Sequence, residues 1–130
     1  MKRIVFIVEK TSTGYSAYAK DFENIPAGTT GDTMTELRTN IVDAYNSVAE
    51  FKGWPEVTID EITVQLDLPQ FFQFYNVINI SALSVRIGMS NTLLSQYIHG
   101  QKKAGPKQIA RIMTGIKDLG KELASLEIAV

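Results

Sequence analysis

The sequence predicts an α+β protein in two parts: a small β-β-(β)-α-β domain over residues 1–67, and an all-α helix-turn-helix domain over residues 68–130. Three observations predict it. Runs of β-branched and aromatic residues, separated by turn residues, fill the first thirty positions. Apolar residues then recur at spacings of three and four, which is the period of a helix. After Asp67, short apolar stretches are separated by helix caps and glycines.

The N-terminal domain begins with a predicted hairpin. Residues 4–8 are apolar and mostly β-branched, residues 11–14 are typical of a turn, and residues 15–19 form the return strand. The turn-rich segment 24–30 leaves room for a short third strand. Residues 61–66 alternate between polar and apolar and predict a further strand.

A long helix is predicted between the last two strands. Thr33 and Glu36 fit a capping box, in which the Thr33 hydroxyl accepts the N–H of Glu36 and the Glu36 carboxylate reaches back. An apolar stripe at helical spacing is expected to cover one sheet face. It consists of Met34, Leu37, Ile41, Tyr45, Val48 and Phe51. Gly53 and Pro55 end the helix, and Trp54 is expected to pack at its end.

The helix-turn-helix unit is predicted from local signals. Asn79 caps a helix over residues 80–87, and Ser90 caps a second over residues 91–99. Gly88 between them allows a positive φ and a sharp turn. The second helix is the predicted recognition helix, which in such units sits in the major groove of DNA.

Two further helices flank this unit. A mostly buried helix follows Asp67 and Pro69, and another opens at Pro106. The second is expected to bury Ile109, Ile112, Met113 and Ile116. From Lys117 we expect helix to Val130, with apolar residues recurring at Leu119, Leu123, Leu126 and Val130. This tail packs on its own domain or on a second copy of the chain, and the pattern leaves both open.

The recognition helix and the loop after it carry side chains suited to DNA. The candidate residues on the helix and its cap are Ser90, Asn91, Thr92, Ser95 and Gln96. Asn and Gln can pair with adenine edges in the major groove. Lys102, Lys103 and Lys107 suit phosphates. The alternative is a four-helix packing module with a polar face. His99 is interpreted as solvated or adjacent to phosphate.

Charge is divided unevenly along the chain. Residues 1–78 carry six Lys/Arg and eleven Asp/Glu, a net charge of −5. Residues 79–130 carry seven Lys/Arg and three Asp/Glu, a net charge of +4. This asymmetry suggests two surfaces with different partners, although a chance spread of solvated charge is the alternative.

No pattern of catalytic or metal-ligating residues is apparent. A hydrolytic metal site needs converging carboxylates, whereas most acidic residues here lie at predicted turns or on an outer helix face. Neither a His-x-x-x-His pair nor a nucleophile elbow nor a glycine-rich phosphate loop occurs. We therefore expect no catalytic residue, metal or cofactor. The absence of cysteine and of a long apolar segment favours a cytoplasmic protein with no membrane partner.

The C-terminal part resembles the Xre/Cro repressor family. The resemblance lies in residues 80–90, ISALSVRIGMS, and residues 94–100, LSQYIHG. The chain departs from the family at Ser84, where alanine usually faces the turn. A small polar residue can occupy that place.

The N-terminal part resembles the HicB antitoxin domain. The matching residues are GYSAY at 14–18, GDTMTEL at 31–37, and the long helix ending at Gly53 and Trp54. An antitoxin domain followed by a repressor domain is also a HicB arrangement. The resemblance implies a partial RNase H-like fold without the nuclease site. It also implies two partners: a HicA-like toxin, which is a small basic ribonuclease, and the operator DNA of the chain's own operon.

Toxin contacts are suggested by the same resemblance. The family often has a Pro-Asp-Leu-Pro-Gly run after the second strand, whereas this chain has KDFEN at residues 20–24, so only Asp21 matches. The candidate toxin-binding residues are Tyr15, Tyr18, Asp21 and Glu23.

The functional hypothesis is therefore an antitoxin of a type II toxin–antitoxin pair. It would neutralise an mRNA-cleaving toxin, repress its own operon, and act as a homodimer or higher homo-oligomer. The first alternative is a stand-alone helix-turn-helix regulator whose N-terminal domain senses a small molecule or only dimerises. The second is a nuclease, active or degenerate, with Asp21 as its test position.

Overall fold

The computed structural model describes residues 3–130 and shows an α+β fold, which confirms the predicted class. The chain divides into two compact units between Leu66 and Asp67, one residue before the predicted boundary. Within the described residues, no helix combines the length and the apolar character needed to cross a membrane.

The first unit is a four-stranded sheet with one long helix. Its strands lie in the order β3-β2-β1-β4. β1, β2 and β3 pair antiparallel, and β4 runs parallel to β1. The order of elements along the chain, β-β-β-α-β, is the predicted one, and the short third strand is present. The elements are β1 Ile4–Lys10, β2 Tyr15–Ala19, β3 Gly28–Gly31, α1 Met34–Lys52 and β4 Ile62–Gln65, with a 3-10 turn at Ile59–Glu61.

The core of this unit lies on one face of the sheet. Ile4, Phe6 and Val8 alternate along β1 and are buried, as period two requires. Ala17 and Ala19 lie beside them on β2 and are also buried. These small residues leave room above the sheet, where α1 packs.

The approach of α1 to the sheet depends on one glycine. A Cβ added to Gly31 would lie 2.8 Å from the backbone nitrogen of Leu37 and 2.9 Å from its Cα. Since both are backbone atoms, neither can move aside without shifting the helix. Only glycine therefore allows β3 to pass so close to the start of α1.

The predicted helix α1 is confirmed, but one end of its apolar stripe is wrong. Thr33 caps it by accepting the N–H of Glu36 at 3.1 Å, and Gly53 ends it with a φ of 73°. The predicted return bond from the Glu36 carboxylate to the Thr33 N–H is not formed, so the capping box is only half present. The buried residues are Leu37, Ile41, Tyr45 and Ala49. Phe51, expected in the stripe, is 91% exposed. It lies two residues beyond Ala49, which is about 200° around a helix, so it points away from the sheet.

Trp54 packs at the end of α1, as predicted. Its ring stacks on Tyr45 with 6.3 Å between ring centroids, and the Lys52 ammonium lies 5.5 Å from the indole centroid. The Asn46 side chain then fixes the chain beyond it by bonding the backbone N–H and carbonyl of Val57 at 2.9 and 3.1 Å. These contacts hold the segment after α1 against the C-terminal end of the helix.

The second unit consists of four helices: α2 Leu68–Phe74, α3 Ile80–Ile87, α4 Asn91–Ile98 and α5 Pro106–Ser125. Its buried cluster draws on all four helices and on the segments between them. The cluster comprises Phe72, Leu83, Met89, Leu94, Tyr97, Ile98, Ala104 and Ile112. In α2 only Phe72 is buried, so this helix is less of a core element than predicted.

Three expectations about the helix ends and faces are wrong. His99 is the C-cap of α4 and not its last helical residue. α5 ends at Ser125, whereas helix was expected to Val130. Ile109, which was expected to be buried, is 43% exposed.

Candidate DNA-binding interface

A three-residue turn joins α3 to α4. Gly88 has a φ of 66°, and its N–H points to the carbonyls of Ser84 and Val85. The N–H of Met89 donates to the Ser84 carbonyl at 3.0 Å, and the Met89 side chain is buried. These bonds satisfy the last carbonyls of α3 and direct the chain into α4. The predicted positive φ at Gly88 is confirmed.

Both helices of the unit are capped by the predicted residues. Asn79 Oδ1 accepts the N–H of Ala82 at 2.9 Å, and Ser90 Oγ accepts the N–H of Leu93 at 3.1 Å. The Ser90 oxygen therefore holds the beginning of α4. Of the candidate DNA-binding residues, Ser90 is the one with a clear role in the fold.

Ser84 occupies the place where the resembled family has alanine. Its side chain is buried, and its hydroxyl donates to the Ser81 carbonyl at 2.7 Å. Because a buried hydroxyl with a partner costs little, serine is accommodated at this position.

Arg111 holds the turn from α5. Its Nε donates to the Ile87 carbonyl at 2.9 Å, and its Nη2 donates to the Gly88 carbonyl at 2.5 Å. A cation at the C-terminus of α3 is also favourable to the helix dipole. The sequence analysis missed this residue, because its role depends on α5 lying beside α3.

The two helices approach closely at a second point. A Cβ added to Gly115 would collide with the side chain of Ile87, so glycine at this position lets α5 lie against α3. Gly120, one and a half turns later, has nothing within 4 Å of the same added atom.

An exposed ion pair joins α3 to the far end of α5. Arg86 donates two hydrogen bonds to Glu122, one of them at 3.1 Å from Nη2 to Oε1. The hydrogen bond from Arg86, with the attraction of its charge, lowers the pKa of the Glu122 carboxyl below its ordinary value. The same hydrogen bond raises the pKa of Arg86.

The polar candidates on α4 share one side of the helix. Asn91 and Thr92 are exposed, and Ser95 and Gln96 are half-buried. The opposite side carries Leu94, Tyr97 and Ile98, which are buried. The structure therefore brings the uncharged polar residues together, with the Ser81 hydroxyl 3.5 Å from Asn91 Oδ1 at the edge of the group.

The candidate lysines lie beyond the end of α4 and at the beginning of α5. Lys102, Lys103 and Lys107 are all exposed. The N–H groups of Gln101 and Lys102 both donate to the Gln96 carbonyl, at 2.9 and 3.2 Å, which fixes the loop against α4. Lys107 also lines an open groove of about 580 Å³ between α3 and α5.

His99 is exposed and contacts Ser95 one turn earlier. Its Nδ1 lies 2.8 Å from the Ser95 carbonyl oxygen and 3.1 Å from Ser95 Oγ. The i, i+4 spacing on a helix places these two side chains on the same side.

The candidate toxin-binding residues do not form one patch. Tyr15 and Tyr18 are three positions apart on β2, so they lie on opposite faces of the sheet. The Tyr18 hydroxyl donates to Glu9 at 3.4 Å, on the face opposite α1. Asp21 accepts from the Asn24 side chain at 3.1 Å in the turn after β2, and Glu23 is exposed there.

No group of three or more His, Asp or Glu side chains that could hold a metal ion occurs among residues 3–130. The acidic residues of the first unit are distributed over separate strands, turns and helices. No family model, curated protein or solved structure matches the chain.

Proposed function

We propose that the second unit binds operator DNA through α4, and that the chain is the antitoxin and autorepressor of a type II toxin–antitoxin pair. The observation that carries the proposal is the α3–turn–α4 unit, which has its core on one side of α4 and uncharged polar side chains on the other. A helix held in this way can enter the major groove with its polar side towards the base edges.

The charge of this unit supports a polyanionic partner. Residues 68–117 contain six Lys/Arg and no Asp or Glu. Asp67 lies just outside this segment, and its carboxylate accepts the N–H of Gln70 at 2.8 Å as the cap of α2. The exposed cations Lys102, Lys103 and Lys107 therefore lie in an acid-free stretch of chain, where they can neutralise phosphates and release counterions.

The first unit supports the antitoxin half of the proposal by its charge and topology. It contains six Lys/Arg and ten Asp/Glu over residues 1–66, and a basic toxin of the resembled kind would be attracted to such a surface. Three antiparallel strands, a helix and a fourth parallel strand agree with the partial RNase H-like fold that the HicB resemblance implies.

We also propose that the chain acts as a homodimer or higher homo-oligomer. The apolar stripe of α5 begins at buried Ile112, passes half-buried Ile116 and Leu119, and ends at Leu123, which is 62% exposed. Apolar residues at alternating spacings of four and three make a seam that a second copy could cover. Sedimentation of the wild type and of Leu123→Glu tests this, and a monomeric wild type would contradict it.

The DNA-binding half is tested by mobility shifts with the DNA upstream of the chain's own gene. We expect Gln96→Ala to reduce discrimination between this DNA and a scrambled duplex, because it removes a base contact. Lys102→Ala should weaken both duplexes equally and reduce the slope of log K against log salt by about 0.9. Lys121→Ala is the control, since it removes a charge from the other end of α5. If neither Gln96→Ala nor Lys102→Ala changes DNA binding, α4 is not the recognition helix.

The antitoxin half is tested by co-expression with the small open reading frame beside the gene. We expect that neighbour to be toxic alone and to form a stable complex with this chain. Tyr18→Ser and Tyr15→Ser then probe opposite faces of the sheet, and the more exposed Tyr18 should weaken the complex more. If the neighbour is harmless and does not bind, the antitoxin half fails. A stand-alone regulator with a sensing or dimerising N-terminal unit then becomes the better interpretation.

A further inference from the structure

The contacts of the chain's one histidine determine which of its nitrogens carries a proton. His99 Nδ1 lies 2.8 Å from the Ser95 carbonyl oxygen. A carbonyl oxygen can only accept a hydrogen bond, so the short distance requires a proton on Nδ1. The ring is therefore either the neutral Nδ1–H tautomer or the doubly protonated cation, and in both forms Nδ1 donates.

The same nitrogen constrains the Ser95 hydroxyl. Ser95 Oγ lies 3.1 Å from His99 Nδ1, which already carries a proton and has no lone pair to offer. The hydroxyl oxygen can therefore only accept from the ring. Its own proton must point elsewhere, and it remains available to a partner outside the helix.

We propose that His99 is a positioning residue that holds Ser95 as a hydrogen-bond donor towards DNA and so sets a base preference. This inference depends on the proposed DNA-binding function. A hydroxyl fixed as a donor favours acceptors in the major groove, which are N7 and O6 of guanine, N7 of adenine and O4 of thymine. Accepting from the ring also occupies one of the two lone pairs of the hydroxyl oxygen, which reduces its capacity to accept from the N4 amino group of cytosine.

The orientation of Ser95 does not depend on the charge of the ring. The Nδ1–H is present both in the neutral tautomer and in the doubly protonated ring, so we expect the base preference to be independent of pH.

The ring can be tested without DNA. Because the chain contains one histidine, its long-range ¹⁵N–¹H spectrum has a single imidazole. We expect the neutral ring to carry its proton on Nδ1 in the wild type. In Ser95→Ala the tautomer should be unchanged, since the backbone carbonyl remains. An Nε2–H tautomer in the wild type would overturn the inference, whatever the DNA experiments show.

The base preference is tested on the upstream DNA and on duplexes in which each base pair is replaced in turn. Ser95→Ala identifies the affected position, where we expect about a five-fold loss of discrimination for one neutral hydrogen bond. His99→Ala and His99→Gln should lose discrimination at that same position. His99→Asn should keep it, because its amide nitrogen can stand where Nδ1 stands.

The pH series completes the test. Between pH 8 and pH 6 the base preference of the wild type should not change, because Nδ1–H is present in both states of the ring. If His99→Ala and His99→Gln keep full discrimination, or His99→Asn loses as much as they do, the positioning role is refuted. If the folded wild type binds no DNA at all, the proposed function fails with it, while the spectrum still decides the state of the ring.

Discussion

The two units differ in the sequence separation between residues that pair or form hydrogen bonds. In the first unit β1 lies between β2 and β4, and Ile4 pairs with Ile62. In the second unit the caps at Asn79 and Ser90 act within three residues, and the turn at Gly88 bonds to the preceding turn of helix. Local hydrogen bonds thus determine which residues of α4 face outwards. In the sheet, pairing between strands that are distant in sequence determines which residues lie on each face.

This difference explains why the DNA-binding candidates on α4 lie on one surface, whereas the candidate toxin-binding residues do not. A capped helix presents its residues in a known order, so the DNA-binding candidates on α4 fall on one side as expected. Side chains of a strand alternate between its two faces, so Tyr15 and Tyr18, three positions apart on β2, cannot belong to one patch. Residues that share a surface are therefore easier to predict from the sequence of a capped helix than from the sequence of a strand.

The cores of the two units give the largest expected effects. Phe6 in the sheet and Leu94 in α4 are completely buried. Phe6→Ala should lower the free energy of unfolding by about 3–5 kcal/mol and Leu94→Ala by about 2–5 kcal/mol, through lost burial and the cavity left behind. Denaturant unfolding measures both. Phe51→Ala is the control and should change stability by less than about 0.5 kcal/mol, since its ring is exposed. A large effect of Phe51→Ala would mean that the face of α1 is assigned wrongly.

The two glycines of α5 test whether the second unit also depends on a non-local contact. Gly115→Ala forces a methyl group into Ile87 and should destabilise by about 1–3 kcal/mol. Gly120→Ala has free space and should stabilise by about 0.5–1 kcal/mol, because alanine favours helix. Thermal unfolding of the two variants should shift in opposite directions. Equal shifts would show that α5 does not approach α3 at Gly115.

The caps sharpen the comparison at a smaller scale. Asn79→Ala and Ser90→Ala should each cost about 1 kcal/mol, because a backbone N–H at the start of α3 or α4 loses its acceptor. Thr92→Ala is the matched change in the first turn of α4. It should leave stability nearly unchanged and weaken only the proposed DNA binding. If Ser90→Ala alters DNA binding without altering unfolding, Ser90 is a contact residue and not a cap.

The ion pair between α3 and α5 gives the smallest effect, and its sign follows from the pKa of Glu122. Since the fold lowers that pKa, the pair stabilises above the unfolded-state pKa and its contribution is lost as the pH falls through the folded value. Glu122→Gln should therefore unfold slightly more easily than the wild type at pH 7 and equally at pH 2. Glu127→Gln, in the exposed tail, is the control. A difference that persists undiminished at pH 2 would assign the effect to packing.

Local signals in the sequence predicted much of this structure. The caps at Thr33, Asn79 and Ser90 and the positive φ at Gly88 each depend on a few neighbouring residues, and all are present. Periodicity placed the helices but not the limits of burial, as the exposed Phe51 shows. Apolar residues can continue at helical spacing beyond the part of a helix that is covered by the rest of the fold.

Contacts between distant elements were beyond sequence reasoning. Arg111 was not singled out, because its bonds to the carbonyls of Ile87 and Gly88 exist only where α5 lies beside α3. The contact between Ser95 and His99 is different. Its spacing of four on a predicted helix is a local signal, and such a signal is visible in the sequence.

The hold of Arg111 on the turn has a consequence for how this protein can diversify. The turn is fixed by Gly88, Met89 and Arg111, none of which belongs to the set proposed to read bases. Thr92 and Gln96 can therefore change while the frame that presents them persists. If α4 reads DNA as proposed, substitutions at these positions change the base sequence that is read and leave the turn intact.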